Sequence, residues 1–159
     1  MQIILRVISG IAKGHKLKTV KGSTTRPTSD MVKESLFNII AEYVPDARVL
    51  DLFAGTGNLG IEALSRGAAS AVFIDRSPEC CSVIKDNLAH TKLADLAEVY
   101  CVDYVRGIER LCRDGRKFDL VLMDPPYNKN FVQEALKLMI RNDIMKDNSI
   151  IVAEHSVSD

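Results

Sequence analysis

The chain has 159 residues, 47% apolar and 26% charged, with no tract of biased composition, the profile of one globular domain large enough to bury a core without staples. Its 21 basic and 21 acidic residues cancel, which argues against a polyanion partner on net charge alone, yet residues 1–26 carry six cations and no acid while the rest carries 15 basic and 21 acidic groups. The cysteines (Cys80, Cys81, Cys101, Cys112) form no CxxC pair and the three histidines are dispersed, so no metal or disulfide framework is expected, only reduced and mostly buried thiols; the short apolar start, interrupted at Arg6, offers neither a signal segment nor a membrane span, and a cytoplasmic address follows.

Residues 5–25, LRVISGIAKGHKLKTVKGSTT, are apolar and basic pieces broken by Gly10, Gly14 and Gly22. That spacing predicts a small β-hairpin or meander, so residues 1–25 are expected to form a basic N-terminal β extension and residues 26–159 the main body. The extension's lysines serve either to keep an edge from pairing between molecules or to contact a phosphate backbone. Next, RPTSDMVKESLFNIIAEYV has Pro27 and a Thr28 or Ser29 cap ahead of Val32, Leu36, Ile39, Ile40 and Tyr43. This stripe predicts an amphipathic helix of roughly four turns.

From residue 49 onward, compact apolar runs at 49–54, 71–75, 97–103, 118–124 and 149–155 alternate with helical stretches near 59–67, 78–92, 104–114 and 130–141. Strands buried on both faces and alternating with helices make a parallel sheet with helices on both faces, an α/β fold. Right-handed crossovers put every carboxyl end on one edge of that sheet, where ligands bind at the switch in strand order.

The chemistry collects at those ends. DLFAGTGNLG places Gly55, Gly57 and Gly60 between the first strand and its helix, a weak dinucleotide-type fingerprint that lets a ligand approach the backbone. Asp75 ends the second strand twenty residues after Gly55, where a carboxylate can accept from both ribose hydroxyls. Asp103 ends the third, where it could accept from an adenine amino group, and Asp51 lies within the first. Each aspartate can instead be a helix cap. In VLMDPPYNKNF the proline pair Pro125-Pro126 ends the fourth strand abruptly behind Asp124. Tyr127 then offers either a stacking face or a packing lid, and Asn128 and Lys129 either touch a nucleotide or form a solvated loop.

The order DLFAGTG, an acid after the second strand, VD, then DPPY resembles a class I S-adenosylmethionine-dependent methyltransferase of the amino-methylating kind. More specifically, RVISGIAKGHKLKTVKGSTTRPTSDMVKESLFNII resembles the amino-terminal signature of the RsmD family, guanine-N2 methyltransferases of 16S ribosomal RNA. The resemblance implies a Rossmann-like class I methyltransferase fold. It also implies S-adenosylmethionine as donor, with Asp51, Gly55, Gly57, Asp75, Asp103 and Thr28 at its site, and S-adenosylhomocysteine as product. Asp124, Pro125, Pro126 and Tyr127 would hold a flipped guanine, and Arg6, Lys13, Lys16, Lys18 and Arg26 would hold RNA. The implied partner is 16S rRNA within a 30S particle or its precursor, with no metal and no membrane. Rival readings are a DNA adenine-N6 methyltransferase, which the same tetrad could serve, and an inactive RNA-binding assembly factor. A nicotinamide-dependent oxidoreductase lacks length for a substrate domain. The family's sheet normally continues into two further strands, so the C-terminal hairpin is expected to be missing here, leaving the fifth strand's edge exposed.

Overall fold

Five apolar segments lie side by side as parallel strands in the computed structural model, which describes residues 4–20, 29–125 and 130–154. They are β3 (Arg48–Leu52), β4 (Ser70–Asp75), β5 (Ala97–Cys101), β6 (Phe118–Met123) and β7 (Met145–Ala153). The helices between them are α2 (Asn58–Ser65), α3 (Pro78–His90), α4 (Tyr104–Arg113) and α5 (Phe131–Arg141). Strand order is β5-β4-β3-β6-β7, so the chain winds outward from β3 to β5 and returns to β6 on β3's other side. The switch in direction therefore falls between β3 and β6, whose last residues pair as Leu52↔Met123. A crevice for a ligand opens at such a point.

Period-two alternation sends successive side chains to opposite faces of the sheet. Val49, Ala71, Phe73, Leu120 and Leu122 pack with Ile61 and Leu64 of α2 and Ile84 and Leu88 of α3. Leu50, Leu52, Val72, Ile74, Val121 and Met123 pack with Ile108 and Leu111 of α4 and Ala135 and Met139 of α5. By the same parity Asp51, Asp75 and Asp124 belong to the α2–α3 side, and the face on which each carboxylate emerges is set before any ligand is considered.

The N-terminal residues form the expected hairpin, β1 (Leu5–Arg6) antiparallel to β2 (Lys16–Leu17). Rather than being merely appended, it sits in the body's core: Leu5, Val7, Ala12 and Leu17 are buried in the same cluster as β3 and α2. Gly10, at φ 91°, lies so close to α2 that a Cβ there would stand 1.9 Å from the Ser65 carbonyl oxygen. The Ile11 amide donates to that same oxygen at 2.9 Å.

α1 (Asp30–Ile39) starts at Ser29, whose hydroxyl accepts from the Val32 amide at 3.2 Å. Its inward face keeps Leu36 and Ile40 of the predicted stripe and departs from the rest. Lys33, Phe37, Ile40 and Val44 are buried, whereas Val32, Ile39 and Tyr43 stand 49%, 79% and 42% exposed. The helix is also shorter than four turns, passing into a tight turn at Ala41–Tyr43. A buried ion cluster selects this face. Lys33 Nζ donates to the Arg6 carbonyl at 2.6 Å and to Asn58 Oδ1 at 2.7 Å, and lies 3.2 Å from Glu62 Oε1. Glu62 also accepts from the amides of Ile8 and Ser9 and from Arg66 Nε at 2.8 Å. An apolar pattern cannot reveal an inward lysine.

Two further expectations change. Only Cys81 is buried; Cys80 is half-buried and Cys101 and Cys112 are exposed, all as free thiols. The dispersed histidines partly meet, His15 and His90 packing edge to face with ring centroids 5.3 Å apart. No metal-holding group is found among the described residues, and no described helix is long and apolar enough to cross a membrane.

Candidate active site at the carboxyl edge of the sheet

The loop after β3 reverses direction through Phe53, Gly55 and Gly57, all at positive φ (62°, 59° and 82°). Gly57 caps α2 from the left-handed region with no side-chain hydrogen bond, so among the described residues only the third amide of α2, that of Gly60, has a side-chain acceptor. Such an end favours an anionic or electron-rich group. Asp51 lies behind this loop, 1% exposed, and its Oδ2 accepts from the Gly60 amide at 2.9 Å. Burial, with Asp124 and Asp75 nearby, pushes its carboxyl well above the usual range. Asp51 is thus a strut under the loop rather than a surface contact. Gly60 is required by space, since a Cβ there would stand 2.4 Å from the Phe73 ring and 2.9 Å from Asp51 Oδ2.

At the end of β4, Asp75 ties two turns together. Its Oδ2 accepts from the Gly55 amide and its Oδ1 from the Ser77 amide, each at 2.9 Å. The cap of α3 is Ser77, not Asp75. Asp103, by contrast, does cap a helix: its Oδ1 accepts from the Arg106 amide at 3.0 Å at the start of α4. Each carboxylate oxygen has a second lone pair, so neither role occupies the group fully.

Asp124 is different. It follows β6 directly beside the glycine loop, half-buried, with its carboxyl pushed up to about 7 first by burial and then by Glu154. No hydrogen bond or ion pair with a described residue lowers it. Of the four aspartates singled out by sequence, it alone offers a carboxylate not already engaged by the backbone. Pro125, also half-buried, follows it and presents a carbonyl with no amide of its own.

Sequence reasoning missed the aromatic group beside this corner. Phe53, Tyr104 and Phe131 meet with centroids 5.2, 5.8 and 5.9 Å apart, and the Tyr104 hydroxyl donates to Glu134 Oε2 at 2.6 Å. The cluster joins the glycine loop to the starts of α4 and α5. Tyr104 and Phe131 each open a helix just after a strand-end loop, a placement readable from the pattern; the left-handed turn at Phe53 that brings them together is not. Glu154, one residue past β7, was missed too.

On the hairpin, Arg6 Nε bonds Asp30 Oδ2 at 2.9 Å and Lys18 Nζ bonds Asp86 Oδ2 at 3.1 Å. Lys13 and Lys16 are exposed and make no ion pair with a described residue. Arg26, Thr28, Pro126, Tyr127, Asn128 and Lys129 lie outside the described residues.

The family described as conserved hypothetical protein 95 matches residues 5–159. YlbH of Bacillus subtilis (strain 168) is 43% identical over 151 residues, covering 95% of this chain and 82% of that one. The Escherichia coli K12 protein named ribosomal RNA small subunit methyltransferase D is 35% identical over 153 residues, covering 96% and 75%. The solved structure of Escherichia coli yhhF superposes with a TM-score of 0.84 at 34% identity, covering 98% of this chain and 82% of that one.

Proposed function

The chain belongs to the RsmD family of S-adenosylmethionine-dependent rRNA methyltransferases, and on that premise we propose that it methylates the exocyclic N2 of a guanine in 16S ribosomal RNA, within a small-subunit particle or its precursor. The observation that carries this reading is the adjacency of the β3 and β6 ends, which sets the unengaged Asp124 carboxylate beside the glycine loop.

The residues present suit the implied donor. The α2 amides without a side-chain cap and the glycine positions of the loop leave room and polarity for its charged end. Asp75 would accept from its ribose hydroxyls and Asp103 from its adenine amino group, through the lone pairs that their backbone contacts leave over. Asp51 would act indirectly, by fixing the loop, and Thr28 would contact the donor from the segment before α1. When bound, S-adenosylmethionine supplies an electrophilic methyl on a sulfonium centre.

An exocyclic amine is a poor nucleophile because its lone pair is delocalised into the ring. The protein must hold the two N–H bonds so that the lone pair turns toward the methyl. Asp124 and the Pro125 carbonyl are rigidly aimed acceptors for those bonds, a contribution of orientation and electrostatics. Pro126 would fix the corner, and Tyr127 would stack on the extruded base, worth about 1–3 kcal/mol. Arg6, Lys13, Lys16, Lys18 and Arg26 would meet RNA phosphates.

The test is methyl transfer from labelled donor to small-subunit particles and naked 16S RNA from cells lacking the protein, with duplex DNA alongside. Label in one methylguanosine of 16S RNA is expected; label in DNA adenine alone would overturn the reading.

A further inference from the structure

We propose, resting on the amino-methylating reading above, that Glu154 is a positioning residue that works with Asp124 as a carboxylate pair, so that Asp124 takes up the proton the amine releases. The placement is fixed by the sheet. β6 and β7 pair in parallel through Leu122↔Val152 and Met123↔Ala153, and the Glu154 amide donates to the Met123 carbonyl at 2.9 Å. Asp124 and Glu154 are therefore the next rung of the same ladder. Leu120 and Leu122 share a face with Ile150 and Val152, so by alternation both carboxylates leave the sheet on that face, at neighbouring-strand spacing.

The chemistry requires an acceptor. As nitrogen bonds to the methyl carbon and that carbon's bond to sulfur breaks, the nitrogen becomes cationic. One N–H bond then breaks, its electron pair returning to nitrogen while its proton passes to a carboxylate oxygen of Asp124. The methylated nitrogen is strongly acidic and gives that proton up readily, and an acceptor whose own pKa lies near the working pH takes it with the greatest driving force while still being available as the anion. Burial and Glu154 together hold Asp124 at about 7, matched to the task. The groups facing Asp124 among the described residues are Glu154 from β7 and Asp51 from β3, with Asp75 beyond Asp51. Asp51 is itself held toward its neutral form by burial, and among the described carboxylates Glu154 is the one whose charge raises Asp124.

The experiment follows the Asp124 carboxyl carbon by NMR in the full chain labelled at aspartate carboxyls, assigned with Asp124→Asn. The titration midpoint is expected near 7 in the wild type and lower by about one pH unit in Glu154→Gln, with Glu154→Asp restoring most of it. The acidic limb of the kcat profile for 16S RNA methylation should move by the same step. A midpoint unmoved in Glu154→Gln overturns the pairing whether or not RNA is methylated. A midpoint that moves while the acidic limb stays overturns the catalytic use of it. Absence of transfer by the wild-type protein counts instead against the proposed function.

Discussion

A half-buried carboxyl with no described hydrogen-bond donor costs the fold free energy whenever it ionises. Asp124 titrates near 7 in the folded chain and at about 3.9 when unfolded, so the folded state holds a proton that the unfolded state has given up. Its contribution to stability is complete below about pH 4 and is lost as pH rises through about 7, on the order of 2 kcal/mol after allowing for its partial contact with water. Asp124→Asn should flatten that part of the thermal-midpoint profile and melt above the wild type at pH 8, while transfer to RNA falls about 10²- to 10³-fold through loss of the oriented anion. Scanning calorimetry across pH and single-turnover methylation check the two halves. Lys33 makes the opposite case, a buried ion whose loss is costly. Lys33→Met strands the Arg6 carbonyl and Asn58 Oδ1 and removes one of two cations from Glu62. It is expected to cost about 3 kcal/mol in urea unfolding.

Elements turn these residue-level costs into geometry. α2 is clamped between Phe73 below and Asp51 at its start, with Gly60 as the point of closest approach. The Phe73 ring is fully buried and has nowhere to go, so Gly60→Ala should lift the first turn of α2 away from β3. That is expected to cost about 1–3 kcal/mol of stability and to weaken S-adenosylmethionine binding, read by calorimetric titration, more than a distant core change of equal stability cost does. The strand ends were legible because each apolar run stops at an acid or a turn and parallel topology then puts all stops on one edge. That logic placed Asp75 at the end of β4 and Asp124 just past β6, while Asp103 lies beyond the end of β5 as the cap of α4. It could not separate Asp51 as a buried strut, because a strand's register does not tell how far a helix covers it. Only part of the α1 face was readable, Leu36 and Ile40, for a related reason: its inward lysine is decided by Glu62, 29 residues away in the sequence. The start of β7 also escaped the pattern, its pairing with β6 slipping between Phe118 and Leu120 where Asn148 turns to φ 63°.

At the scale of the molecule the hairpin has two duties that pull on different residues. Its apolar side chains complete the core over α2, so deleting it would unfold the body and say nothing about RNA. Its cations can be removed singly. Arg6 and Lys18 are tied to Asp30 and Asp86 in exposed pairs, each worth at most about 1 kcal/mol, so a phosphate backbone could compete for them only by breaking those pairs. Lys13 and Lys16 need break no ion pair with a described residue to do so. If the hairpin lies along RNA, the double variant Lys13→Ala/Lys16→Ala should leave the melting temperature unchanged. The slope of log affinity for 16S RNA against log salt should become shallower by about 1.4–1.8, from two lost phosphate contacts. Lys146→Ala serves as control because that ammonium pairs with Asp119 near the amino ends of the strands, away from the crevice; its slope should match the wild type. Equal slopes for all three proteins would mean that the RNA lies elsewhere, and that the hairpin's charge serves only to keep a short exposed edge from pairing with another copy.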